Sequence, residues 1–159
     1  MATVKIDIER RLELAVQELL KTETLLTDLV TANGVVIAHD RSASVIYPAA
    51  SIGVINAMEF GLMTGWYMCG LQLSALTYRQ DDESRSTLKQ IAGVFRGWAQ
   101  KTGVVAALNA TAIATATATV LGVEDVRLDD MSFDNSEDKI QELVVPVSVL
   151  CRPSQATTT

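Results

Sequence analysis

Residues 65–103 read GWYMCGLQLSALTYRQDDESRSTLKQIAGVFRGWAQKTG, and this stretch decides the fold. From Gly65 to Tyr78 the side chains alternate. Tyr67, Cys69, Leu71, Leu73 and Ala75 fall on one face, while Gln72, Ser74 and Tyr78 make the other more polar toward the end. That period of two predicts a long strand with one buried face. Asp81-Asp82-Glu83-Ser84 follows, and acidic residues with a serine suit a helix start, where free backbone N–H groups and the positive dipole end await them. Leu88, Ile91, Ala92, Phe95, Trp98 and Ala99 then recur at helical spacing. Lys101 suits the negative end of that helix, and Gly103 terminates it.

Upstream, Ile8, Leu12, Ala15, Val16, Leu19 and Leu20 recur every three or four residues, with Glu9, Arg10, Glu13, Gln17 and Lys21 expected on the opposite side. A helix is predicted over Val4 to Val30, either continuous through Leu25, Leu26, Leu29 and Val30 or broken near Thr22 to Thr24. Asn33-Gly34 stops it, since both residues tolerate the left-handed conformation. Two short runs, Val35 to His39 and Ala43 to Tyr47, flank Asp40-Arg41-Ser42 and predict a hairpin or loosely paired strands. Pro48 interrupts, and Ser51 to Met58 is a further strand.

Downstream, Ala110 to Thr119 alternates alanine with threonine. Alternation favours a strand, although alanine is a weak strand former. Gly122 to Phe133 and Ile140 to Cys151 predict two strands around the turn-forming run Asp134-Asn135-Ser136-Glu137-Asp138. Leu143, Val145, Val147 and Val149 share one face, and Pro146 predicts an edge or a bulge, because proline cannot donate a ladder hydrogen bond. The fold expected is α+β: a mainly antiparallel sheet, a long N-terminal helix and a second helix packed on it, and a C-terminal β-hairpin. Residues 1–153 are expected to form one domain, and 154–159 a loose tail.

Composition narrows the function. A chain of 159 residues, 48% hydrophobic and 20% charged, can bury a real core. Its net charge of −6 argues against gripping duplex DNA or an anionic membrane. Met1 to Asp7 lacks a basic start leading into an apolar run, so no secretory signal is expected. No apolar run is long enough to span a membrane, and synthesis in the cytosol is expected.

Convergent chemistry is sparse. His39 is the only histidine, and no strained serine elbow accompanies it, so it is expected at the surface without a catalytic role. Cys69 and Cys151 sit in apolar runs and are expected as buried thiols, with a disulfide or a metal pair as the lesser reading. With His39 they show no ligand spacing. Gly61, Gly65 and Gly70 are too dispersed to cradle phosphate. Asp81, Asp82 and Glu83, or Asp129, Asp130, Asp134, Glu137 and Asp138, could hold a cation, but a helix cap and a solvated hairpin tip account for them. Carboxylates of that hairpin facing a channel would instead let DNA slide past without sticking. Trp98 belongs to the helix stripe; Trp66 is either core or interface, and Tyr67 is a further aromatic anchor. No catalytic, cofactor-binding or metal residue and no cofactor is expected, and the chain is read as not an enzyme.

The layout of Gly65 to Arg152 resembles a known family. It comprises the strand Trp66 to Tyr78, an acidic turn, a helix ending Phe95-Arg96-Gly97-Trp98, and a hairpin pairing Val123 to Leu128 with Leu143 to Val149. With a leading helix, this order is similar to the tail terminator and tail-completion proteins of tailed bacteriophages. The resemblance rests on element order, length and pattern and brings no catalytic residues with it. It implies a virion structural protein that forms a homo-oligomeric ring, typically a hexamer. Such a ring caps the tail tube and joins it to the neck and head, so the implied partners are the tail tube protein and neck connector proteins. DNA would pass through the lumen without specific binding, and no membrane is involved. The implied location is the virion tail or neck. Small residues at Ala110 to Thr119 would permit close approach at a ring contact. A neck or head-completion connector or a tube subunit is the alternative within that class; a small-molecule-binding or catalytic domain using the His39 region is the alternative of another class.

Overall fold

The computed structural model describes residues 7–37, 46–59, 65–78, 82–115, 119–129, 131–137 and 139–155. The elements are α1 (Ile8–Lys21), α2 (Thr24–Thr27), β1 (Val35–Ile37), β2 (Ala49–Glu59), β3 (Tyr67–Tyr78), α3 (Asp82–Ala99), α4 (Val104–Thr115), β4 (Thr119–Leu128), β5 (Phe133–Asp134) and β6 (Ile140–Gln155). The fold is α+β, as the sequence predicts.

The strands form one sheet in the order β1-β2-β3-β6-β4, with β5 also paired to β6. Every ladder is antiparallel except β1 with β2, which run parallel from Val35↔Ala50 to Ile37↔Ile52. The sheet is therefore mixed. Val35 to Ile37 form the expected strand, paired in parallel with β2. The hairpin or loose pairing expected with Ala43 to Tyr47 rests on residues 38–45, including His39, which lie outside the described residues. Tyr47-Pro48 is a cis peptide, and β2 starts directly after it.

Alternation along β3 works as the sequence reading requires. Cys69, Leu71, Leu73 and Ala75 are fully buried on the face that carries the helices. Val145, Val147, Val149 and Cys151 of β6 join them, and so do Ala50 and Ile52 of β2. At the far end of β3 the other face is buried too: Ser74 and Leu76 pair with Val144 and Glu142, all of them shielded.

Helix α3 places Leu88, Ile91, Ala92, Phe95, Trp98 and Ala99 in the core, the stripe predicted. Gly103 at φ 87° turns the chain into α4. The N-terminal helix is shorter than predicted, ending at Lys21, with the break at Thr22 and Glu23 before α2. Asn33 adopts φ 62°, the left-handed turn expected of it, although the helix has already ended.

Three further expectations are corrected. Ala110 to Thr115 belongs to α4, not to a strand. Alanine is the best helix former, and the Thr111 hydroxyl donates back to the Ala107 carbonyl at 2.9 Å. Val104, Leu108 and Ala112, four residues apart, supply the buried face. Next, β6 is interior rather than an edge. Pro146 survives there because it lies opposite the gap between β4, which ends at Leu128↔Val147, and β5, which starts at Phe133↔Val144. Its carbonyl accepts the Asp129 N–H at 3.0 Å, so contact with the chain leaving β4 is kept through the one backbone group that proline still offers. Finally, β6 continues to Gln155, so Ser154 and Gln155 pair with β4 instead of joining a loose tail.

Candidate functional site

Buried polar side chains reach the sheet's two flanks from the helices. Glu13 of α1 is only 7% exposed, and its Oε2 accepts the Val54 N–H at 3.0 Å. Gln17, one turn on, donates to the Val35 carbonyl at 3.0 Å. Both residues were expected on the solvent side of the helix, so the buried arc of α1 is wider than its apolar stripe. On the opposite flank, Asn109 of α4 donates to the Val123 carbonyl at 2.8 Å and accepts the Val123 N–H. Val54 and Val123 each lie beside a register shift, Val54/Asn56 in β2 and Val123/Asp125 in β4. The Ala50 N–H bonds the Gly34 carbonyl, so alternation turns the Val54 N–H to that same outer side, just past where β1 stops at Ile52. Glu13 there, and Asn109 on β4, satisfy edge groups that no strand reaches among the described residues. The signals were a carboxylate among apolar helix neighbours and a lone amide inside VVAALNATAIAT.

Beyond these side-chain contacts, neither flank carries a further strand among the described residues. Among the described residues, β1 covers β2 only from Ala50 to Ile52, leaving Val54 to Glu59 without a strand on that side. Ile55 and Met58 on this stretch are 60% and 69% exposed. At the other end of the sheet, β6 is the strand neighbour of β4 among the described residues. Asn56, at the β2 irregularity, folds its side chain over Gly70, whose N–H donates to Asn56 Oδ1 at 3.0 Å. A Cβ at Gly70 would meet that oxygen at 2.7 Å, so the role of this glycine is close packing rather than phosphate binding.

The acidic groups stay within local turns. Glu83 is exposed in the first turn of α3, and Asp81 lies outside the described residues. In the C-terminal hairpin, Asp129 accepts the Ser148 hydroxyl at 2.8 Å and Asp134 the Ser136 N–H at 2.7 Å. Glu142 accepts from Asn135 Nδ2 at 3.0 Å. Glu137 is exposed, while Asp130 and Asp138 fall outside the described residues. Among the described residues, no group of three or more His, Cys, Asp or Glu side chains is placed to hold a metal ion.

Cys69 and Cys151 are brought together. Both are free and fully buried, with their sulfurs 3.6 Å apart. The bond to Cys151 and then burial push the Cys69 thiol well up from its ordinary value. Trp98 is core, 4% exposed. Trp66 is half-buried, with the Arg152 guanidinium 5.8 Å from its ring centroid, a cation–π contact between the start of β3 and β6. Tyr67 is half-buried beside it and packs on the core.

Two clefts flank α2. One of about 430 Å³ is lined by Asp28, Tyr47, Thr77, Tyr78 and Glu83, with the two tyrosine rings edge-on at 4.7 Å. The other, about 750 Å³, lies between α2 and α3, where Gly93 and Gly97 leave α3 flat beside Leu25 and Leu29. No helix is long and apolar enough to cross a membrane among the described residues. No family model and no curated protein matches this chain.

Proposed function

We propose that the chain is a non-enzymatic structural subunit of a tailed-bacteriophage virion, a tail terminator. Copies of it would close into a ring, taken as a hexamer, that caps the tail tube and joins it to the neck. The observation that carries this reading is a pair of sheet edges, at opposite ends of one subunit, that bear no further strand among the described residues. A closed ring needs two different patches per copy, so that each contact is head-to-tail. The Val54 to Glu59 flank of β2, with exposed Ile55 and Met58, supplies one, and the outer flank of β4 the other. Unpaired strand edges with apolar side chains gain by being covered.

The element order, with its long strand, acidic turn, amphipathic helix and closing antiparallel pair, supports the same reading through its resemblance to the terminator family. The net charge of −6 agrees with a lumen through which DNA moves without being held.

Light scattering on the purified chain, followed by electron microscopy after mixing with tail tubes, tests the proposal. Rings of a single size seated on tube ends are expected. Replacing Ile55 and Met58 together by Lys should leave a folded single subunit that no longer forms rings. A wild-type chain that stays single at every concentration and never joins tubes would sink the reading.

A further inference from the structure

Cys69 and Cys151 are the chain's two cysteines. They stand on neighbouring central strands and point to the same, helix-covered face. In register, Cys151 lies opposite Tyr67 and Cys69 opposite Val149, so the two thiols sit on a diagonal of the β3–β6 ladder. Diagonal neighbours in a flat ladder have backbones about 7–8 Å apart, at the outer limit for a disulfide. Strand twist shortens one of the two diagonals. The two sulfurs here stand 3.6 Å apart, so the side chains already span most of the diagonal. Closing to a bond of about 2.05 Å then needs side-chain rotation and a small strand adjustment.

We propose that Cys69 and Cys151 form an intramolecular disulfide site, closed by a peroxide-class oxidant, that staples β3 to β6. The two thiols already share a hydrogen bond. Either thiol can donate to the other, so a thiolate at one is held by the S–H of its neighbour. With Cys151 as the attacking thiolate, its sulfur attacks one peroxide oxygen, the O–O bond breaks, and the departing hydroxide takes up the thiol proton as water. Cys151 then carries a sulfenic acid. Cys69 sulfur attacks the Cys151 sulfur, the S–O bond breaks, and a second water leaves with the Cys69 proton. Two thiols and one peroxide thus give one disulfide and two waters.

Burial sets the choice of oxidant. Both cysteines are 0% exposed, which bars bulky disulfides and alkylating reagents from the folded chain. A neutral molecule little larger than water is not barred in this way. Cys69 is the third residue of β3 and Arg152, beside Cys151, is exposed, so the pair lies near a strand end, where local opening costs least. The bond would join positions 82 residues apart and constrain the unfolded chain strongly. It would form outside a reducing compartment and open inside one. This inference stands independently of the ring.

The test is peroxide treatment of the folded chain, then removal of peroxide, denaturation and alkylation. The outcome is read on the peptides bearing the two cysteines, because exposed Met58 oxidises under the same treatment. The expected result is one peptide linking Cys69 to Cys151, released by reductant, in a chain that remains a single covalent unit. The thermal midpoint of the oxidised chain should rise and fall back on reduction. In Cys151→Ser and Cys69→Ser, peroxide should give no linked peptide and no rise. Alkylation of both cysteines after treatment, sulfinic acid on either without a link, or links between different chains would each overturn the proposal. The peptide readout on the wild-type chain does not depend on either variant folding.

Discussion

Glu13 Oε2 accepts the Val54 backbone N–H across 41 positions of sequence, at 3.0 Å. A carboxylate on the inner side of α1 thereby caps the outer edge of β2 just past the point where β1 stops pairing with it, at Ile52. Glu13→Leu removes the acceptor and leaves the Val54 N–H shielded and unpaired, which costs about 1–3 kcal/mol. Glu13→Gln keeps an oxygen in place and should lose about 1 kcal/mol or less. Urea unfolding of the three chains checks the order; equal midpoints for Leu and wild type would refute it.

Asn109 serves both backbone groups of Val123. Asn109→Asp retains an acceptor for the N–H but sets a carboxylate against the Val123 carbonyl. It should therefore destabilise by more than Asn109→Ala, which itself costs about 2 kcal/mol or more for two orphaned groups. Hydrogen exchange at Val123 is the local readout, and faster exchange is expected in both variants.

Gly70 and Asn56 act as one unit. Gly70→Ala displaces the Asn56 side chain that Asn56→Ala deletes, since the added methyl meets its oxygen at 2.7 Å. Each single change should cost about 1 kcal/mol, and the double variant little more than either. A double-mutant cycle in denaturant measures this coupling, and simple additivity would contradict it.

The Cys69 thiol also gives the stability a pH dependence. Its pKa is raised in the folded chain, by the Cys151 bond and by burial, from an ordinary value of 9.0. The same bond lowers Cys151, so the folded pair holds one shared proton that the unfolded chain gives up. Above that value the unfolded chain releases this proton while the folded chain keeps it. Stability contributed by the buried thiol is thus present below pH 9 and declines as pH rises further, at up to about 1.4 kcal/mol per pH unit. The decline should be shallower in the double variant Cys69→Ala/Cys151→Ala, which lacks both buried thiols; parallel pH profiles of unfolding midpoint would argue against it.

Much of this fold is legible in the residues. Helix α3 carries acids at its start, a stripe of large apolar side chains and a terminating glycine, three signals that agree. Strand β3 alternates cleanly because one of its faces meets helices. Helix α4 is hidden by its composition: alternating Ala and Thr gives period two, yet neither side chain is large enough for that period to report burial. The parallel partnership of β1 with β2 depends on contacts that no local pattern records. Glu13, Gln17 and Asn109 escape any reading that equates polarity with exposure, because strand edges present backbone groups that polar side chains from a covering helix can satisfy. The meeting of Cys69 with Cys151 depends on ladder register, which two well-formed strands read separately do not give.

The central position of β6 has a consequence for biogenesis. It holds β3 along one side and β4 with β5 along the other, yet it is synthesised after all of them. A nascent chain on the ribosome therefore displays β3 and β4 with nothing between them. The sheet assembles only once β6 emerges, in a step that joins both halves at once. Shortening β6 should abolish folding outright, and elongation pauses before it would prolong the interval in which aggregation competes.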